Sequence, residues 1–194
     1  MKTFGPKAVA ALLLWTLTGC ASTSLTAYQD PAFTQARYWK FAVLASGVQL
    51  DERQALENRL VGALRNKAVA AESAMRLFAP TRPTSNEEMS AALLAEGYDA
   101  LLIVQRVEAG SKLEPSWSQI LGGSSSGDTA EHLYASYDAS LVDLRSGQVA
   151  WMASARTGGS EYAGVAEIVD SFASRTADAL EERQLLAIRP PLAR

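Results

Sequence analysis

Cysteine and histidine are nearly absent, because the chain holds one of each in 194 residues. The single thiol of Cys20 cannot close a disulfide within the chain, so packing must stabilise the fold. A lone histidine, His132, leaves few of the side chains that zinc sites use. The formal net charge is −3, and this excludes the positive surface that nucleic-acid binding requires.

The motifs of common enzymes are missing as well. The run GGSSSG at 122–127 lacks the Gly-Lys-Ser/Thr ending of a phosphate-binding loop. No G-x-S-x-G segment provides a nucleophile elbow. His132 follows Asp128 and Glu131, a spacing that matches no known metal motif. We therefore predict a non-enzymatic protein without cofactor or metal, in which His132 is an exposed loop residue.

The first twenty residues have the order of a bacterial lipoprotein signal. Lys2 and Lys7 precede a short apolar run, and Leu17-Thr18-Gly19-Cys20 forms a lipobox. The run is too short to span a bilayer as a mature helix, which indicates a signal peptide at 1–19. We predict cleavage between Gly19 and Cys20 and attachment of a diacylglycerol to the Cys20 thiol.

The residue after the cysteine bears on the location. Residue 21 is Ala21, and in Gram-negative lipoproteins, which this segment resembles, a residue other than Asp there implies transport to the outer membrane. The expectation is a lipid-anchored, periplasm-facing protein whose first partner is the membrane. Two or more acyl chains give a stable anchor.

The remaining chain divides by composition. Residues 20–36 are rich in Ser, Thr and Ala and are predicted to form a lipidated tether. Residues 37–189 are predicted to form a single globular domain, with 190–194 as a tail. Within the domain, the Gly- and Ser-rich stretch 108–131 is predicted to be a long flexible loop.

Hydrophobic periodicity predicts the order β-α-β-α-β-β-β-α. This is an α+β fold: one mixed sheet of about five strands, with three helices packed against it. The first helix is predicted to begin with Asp51 as its N-cap, and to carry Glu57 on its polar face. The predicted strands are 38–46, 74–79, 98–107, 133–144 and the segment after Val149.

Three segments together resemble a known group of proteins. They are the lipobox, the strand Tyr98–Val104, and the segment Leu141–Trp151, in which two strands flank a glycine turn and a tryptophan follows. The pattern resembles small Gram-negative envelope lipoproteins that share the fold of the TolB amino-terminal domain, the penicillin-binding-protein activator lipoprotein and the curli-secretion lipoprotein. The resemblance implies a non-catalytic module that acts through protein contacts.

Three functions remain open at this point. The first is a binding or assembly module for an unidentified envelope protein, with Trp117 either contacting the partner or packed back on the sheet. The second is a subunit that self-assembles into a homo-oligomeric envelope secretion structure. The third is a periplasmic hydrolase that uses the region of His132.

Overall fold

The computed structural model describes residues 20–82, 84–115 and 129–187. The predicted signal peptide, the tail and Trp117 lie outside these residues. The strands are β1 (Ala21–Gln29), β2 (Lys40–Ser46), β3 (Ala70–Ser73), β4 (Ala100–Pro115), β5 (Thr129–Asp143) and β6 (Val149–Gly159). The helices are α1 (Leu50–Asn66), α2 (Ala74–Leu77), α3 (Asn86–Ala95) and α4 (Val165–Glu182).

All six strands belong to one mixed sheet in the order β1-β6-β5-β4-β2-β3. Strand β2 runs parallel to both of its neighbours, whereas the pairs β4–β5, β5–β6 and β1–β6 are antiparallel. The predicted α+β class with a single mixed sheet is confirmed. The sheet has one strand more than expected.

The first half of β4 lies at the centre of the core. Leu102 packs in the large cluster beneath α1 and α4, while Leu101 packs with Leu93 of α3 on the opposite face. Burial on both faces explains why this stretch is almost continuously apolar. One face of the sheet, called the helix face below, is thus covered by α1 and α4. The other face is covered by α3 only near β2 and β4.

The hairpin β5–β6 forms as predicted. Gly147 adopts a positive φ of 70°, a conformation that glycine tolerates without steric cost. The Asp143 amide donates a hydrogen bond to the Gln148 carbonyl at 2.9 Å and closes the turn. Trp151 follows and is 1% exposed, so it packs in the core.

Two local predictions are wrong. Residues 74–79 are not a strand, because β3 ends at Ser73 and its hydroxyl accepts a hydrogen bond from the Met75 amide, which starts the short helix α2. Helix α1 begins one residue before Asp51, with Gln49 in the N-cap position. Asp51 therefore lies in the first turn, where its negative charge interacts favourably with the helix dipole.

The predicted tether is the largest correction. Residues 21–29 form β1, which pairs along its whole length with β6. Burial alternates along the strand, and Leu25 and Ala27 pack against the core. Small residues at the alternate positions conceal this pattern in the sequence, because Ser and Thr in series also occur in linkers.

The predicted loop 108–131 is also shorter than expected. Strand β4 continues to Pro115 and β5 begins at Thr129, with pairing throughout these ends. A bulge at Val107 shifts the register between Arg106 and Glu108. Such a bulge bends the strand, and it interrupts the alternation on which sequence-based detection of a strand depends.

Glu57 is a buried carboxylate that joins four elements. Its side chain is fully buried in α1, although the sequence predicted a polar face. It accepts hydrogen bonds from the Ala45 amide of β2 (3.0 Å), the Ser73 hydroxyl of β3 and the Met75 amide of α2 (3.0 Å). Arg53 donates to it from the preceding helical turn at 2.8 Å. A buried charge with this many donors is stable only while they remain in place.

We expect Glu57→Gln to lower the free energy of unfolding by about 3 kcal/mol. The amide replaces one acceptor oxygen with a donor, which faces groups that themselves donate. Glu87→Gln on exposed α3 is the matched control and should change stability by less than about 0.5 kcal/mol. Urea denaturation followed by circular dichroism measures both. Equal stability of the two variants would contradict the role of Glu57.

Candidate functional site

Cys20 lies directly at the end of the edge strand β1. Its carbonyl accepts a hydrogen bond from the Ser160 amide at 2.8 Å, and its amide donates to the Ser160 hydroxyl at 3.1 Å. The residue predicted to carry the lipid is therefore bonded to the chain just after β6. Cleavage beside Gly19 and lipidation of Cys20 stay predictions. No helix among the described residues is long and apolar enough to cross a bilayer.

The outer edge of β1 is open. Cys20 and Asp30 both form backbone hydrogen bonds to the β6 side, and partners alternate along an antiparallel strand. The even-numbered residues of β1 therefore bond to β6, and the odd-numbered residues point their amides and carbonyls outward. Of these outward groups, the Ala27 carbonyl accepts a bond from Arg183 at 3.4 Å. The other outward groups form no backbone hydrogen bond with a described residue.

His132 lies in β5, opposite Lys112 of β4, so its prediction as an exposed loop residue is wrong. Its Nδ1 lies 3.1 Å from the Gly159 carbonyl. A carbonyl can only accept, so Nδ1 carries the hydrogen and donates. The described residues contain no group of three or more His, Cys, Asp or Glu that could hold a metal. Asp128 lies outside them. The absence of catalysis stays a prediction.

A groove of about 640 Å³ opens on the helix face between the first turns of α1 and α4. Its walls are mostly apolar and include Ala109, Leu133, Val165 and Ile168. Arg106 and Glu52 form an ion pair across it. The groove offers a concave and mostly apolar surface.

Tyr137 forms the inner wall of this groove and stacks on Phe172 with ring centroids 4.3 Å apart. Burial raises the pKa of Tyr137 to about 12, and the nearby Glu52 carboxylate adds to the rise. The folded state therefore favours the neutral phenol. Because the folded pKa is raised above the usual value near 10, this stabilisation is complete below pH 10 and is lost as the pH rises towards 12.

We expect the free energy of unfolding to fall less in Tyr137→Phe than in the unmodified chain between pH 9 and about pH 11.5, because the variant has no phenol to ionise at this site. Urea midpoints at the two pH values measure the effect. Tyr28→Phe on β1 is the control, since Tyr28 is 59% exposed, and it should behave as the unmodified chain. The same alkaline loss in Tyr137→Phe would refute the assignment. Burial also raises the pKa of Tyr38. A smaller loss of stability that remains in Tyr137→Phe is therefore assigned to Tyr38.

The structure thus brings Cys20 and His132 to the same end of the sheet. Ser160 bonds to Cys20, and its neighbour Gly159 bonds to His132. From the sequence, Cys20 was predicted to be the lipid anchor and His132 to be an unrelated loop residue. The open edge of β1 was missed altogether. The alternation of Leu25 and Ala27 with exposed Ser24 and Thr26 is a local signal for a strand here, although it does not show which strand β1 pairs with.

The fold defines a class: small α+β domains with one mixed sheet. No protein-family model matches the chain, and no curated protein matches it. Among solved structures, a PelC dodecamer from Paraburkholderia phytofirmans is similar at a TM-score of 0.51 and 15% identity, with 87% of this chain and 99% of that chain covered. A second PelC dodecamer matches at 0.51 and 11% identity, covering 85% and 99%.

The lipoprotein GNA1162 from Neisseria meningitidis also matches, at a TM-score of 0.47 and 15% identity, with 74% of this chain and 99% of that chain covered. At such low identities the likeness concerns the fold. The PelC protomer and this chain share it over almost the whole PelC length.

Proposed function

We propose that the chain is a lipid-anchored, non-catalytic module of the bacterial envelope that binds an envelope protein through the outer edge of β1. The observation that supports this most is the direct passage from Cys20 into an exposed edge strand. The predicted anchor and the proposed binding surface are then one continuous segment. The outer membrane is the proposed location.

The composition of β1 favours strand addition. Natural edge strands are usually protected by charged residues, proline or short length. Strand β1 has nine residues, ASTSLTAYQ, none charged and none proline. A partner strand that pairs with it gains main-chain hydrogen bonds, and the exposed alternate side chains Ser24, Thr26 and Tyr28 supply selectivity.

The opposite edge of the sheet is a poorer candidate. Strand β3 has only four residues. Arg65 donates from α1 to the Ala71 carbonyl at 3.0 Å, which occupies one of the edge acceptors. A short and partly covered edge offers few main-chain bonds to a partner. The proposal therefore rests on β1.

Self-assembly is the second candidate. It is favoured by the fold shared with PelC, whose solved structures are dodecamers. A contact between one surface of a protomer and a different surface of the next closes into a ring when the rotation permits. In this alternative the strand edge β1 contacts a neighbouring copy in place of another envelope protein.

The anchor is tested by Cys20→Ala. We expect the intact mass of the purified chain to lose the diacylglycerol and N-acyl groups, and the protein to leave the membrane fraction, because the acyl chains supply about 0.8 kcal/mol per buried methylene. Ser22→Ala, two residues along, is the control and should stay in the membrane fraction. The anchor would be refuted if the original chain carried no acyl mass and the Cys20→Ala variant stayed in the membrane fraction.

The edge is tested by a matched pair of proline variants. Ala27→Pro removes an amide that points outward, so the sheet should stay intact while partner binding falls at least tenfold. Thr26→Pro removes an amide that bonds to β6, so this variant should lose stability instead. A photoreactive phenylalanine analogue at the exposed position of Tyr28 reports the contact in cells.

The captured species decides between the candidates. A different envelope protein, captured from position 28 and lost in Ala27→Pro, supports the binding module. A second copy of the chain, lost in the same variant, supports self-assembly. Unchanged capture in a folded Ala27→Pro variant contradicts the use of this edge in either form.

A further inference from the structure

A pit of about 310 Å³ lies beside Cys20 on the face of the sheet that the helices leave uncovered. Its floor is Gly158, where an added Cβ would meet no atom within 4 Å. The missing side chain leaves a depression between neighbouring positions on this face that carry side chains. These are Ser22, Ser24, Lys112, His132, Tyr134 and Arg156.

The strand register explains why these residues converge. Gly158 of β6 pairs with Ser22 of β1 on one side and with Tyr134 of β5 on the other. Lys112 of β4 pairs with His132, and Arg156 pairs with Ser24. Four adjacent strands therefore each contribute to the wall, and the backbone pairing sets their positions.

Two positive charges flank the pit. Lys112 Nζ and Arg156 Cζ lie 5.6 Å and 5.7 Å from the centroid of the same Tyr134 ring. Neither forms a salt bridge with a described residue. The Glu108 carboxylate accepts a hydrogen bond from the Tyr134 hydroxyl at 3.0 Å, and Asp138 lies in a neighbouring depression that Arg156 also lines. Tyr134 thus holds Glu108 and contacts both cations.

These groups match the chemistry of a phosphate. Lysine and arginine donate charge-assisted hydrogen bonds to phosphate oxygens, and arginine does so in a bidentate manner. The hydroxyls of Ser22 and Ser24 add neutral donors. A floor without a side chain leaves room for a tetrahedral group, and the volume exceeds what a single phosphate occupies.

The position of the pit indicates where the phosphate comes from. Ser22 follows Cys20 by two residues, about 7 Å along an extended strand. Acyl chains on Cys20 hold this part of the sheet at the bilayer surface, where the phosphates of neighbouring lipids lie. We propose that the pit binds the headgroup phosphate of a phospholipid next to the anchor, an inference that rests on the proposed lipidation for its source of ligand.

The test measures lipid binding by the full chain purified in detergent, using native mass spectrometry. The probes are phosphatidylglycerol, diacylglycerol without phosphate, and inorganic phosphate. We expect phosphatidylglycerol to bind at least about tenfold more tightly than diacylglycerol, because the charged hydrogen bonds need the phosphate. Equal affinity for the two lipids overturns the proposal. Displacement of phosphatidylglycerol by equimolar inorganic phosphate overturns the proposal that the bound phosphate belongs to a lipid, and assigns the pit to free phosphate.

Variants separate the pit from general charge. Lys112→Gln combined with Arg156→Gln should reduce phosphatidylglycerol binding about tenfold or more. Arg82→Gln combined with Arg145→Gln removes the same charge from exposed residues that do not line the pit, and should leave binding unchanged. Equal binding by both double variants overturns the proposal.

A second variant keeps both charges. Gly158→Leu places a side chain in the open space above the floor, so the fold should persist and binding should fall by a similar factor. Retained binding in Gly158→Leu contradicts the pit as the site. The same spectra report acyl mass on the chain, so failure of the lipid anchor is read separately from failure of the pit.

Discussion

The carboxylate of Glu57 is the interaction on which the sheet and its first helix both depend. One side chain from α1 accepts hydrogen bonds from β2, β3 and α2, and together with Arg53 these donors replace the water that a charge loses on burial. The parallel strands have no hairpin between them to hold their register. Glu57 bonds to both β2 and β3 and so holds these two strands in place. Strand β2 in turn pairs with β4, the strand that joins the parallel and antiparallel halves of the sheet.

The predictable parts of the fold were those with a local signal. The hairpin around Gly147 combines alternation, a turn glycine and renewed alternation, and α3 begins with the Ser85 and Glu88 capping box. The parts that failed were decided by distant partners. Glu57 looks like any charge on a helix surface until Ser73 and Ala45 are placed beside it. Strand β1 exists because β6 offers an edge more than 120 residues later, and no local pattern encodes that pairing.

The candidate site follows the same division. The lipidation proposed for Cys20 rests on four consecutive residues, because the peptidase and acyl transferase that process bacterial lipoproteins read such a segment as an extended peptide. The pit could not, since its lining comes from four strands and depends on which residues face each other. His132 was assigned to a loop because the glycines nearby suggested irregular structure, whereas Gly110 opposes Tyr134. A Cβ at Gly110 would come within 3.0 Å of the Tyr134 hydroxyl, so that glycine makes room within a regular strand.

The replacement of a tether by a strand limits what the protein can reach. A flexible segment would let the domain explore a range of heights above the bilayer, whereas β1 begins at the residue after Cys20. Nine extended residues span about 30 Å, so every point on the open edge lies within that distance of Cys20, the residue predicted to carry the lipid. Under the proposed lipidation of Cys20, a partner would have to present its own strand close to the membrane. This favours membrane-bound partners, including further copies of the chain, over proteins held deep in the periplasm.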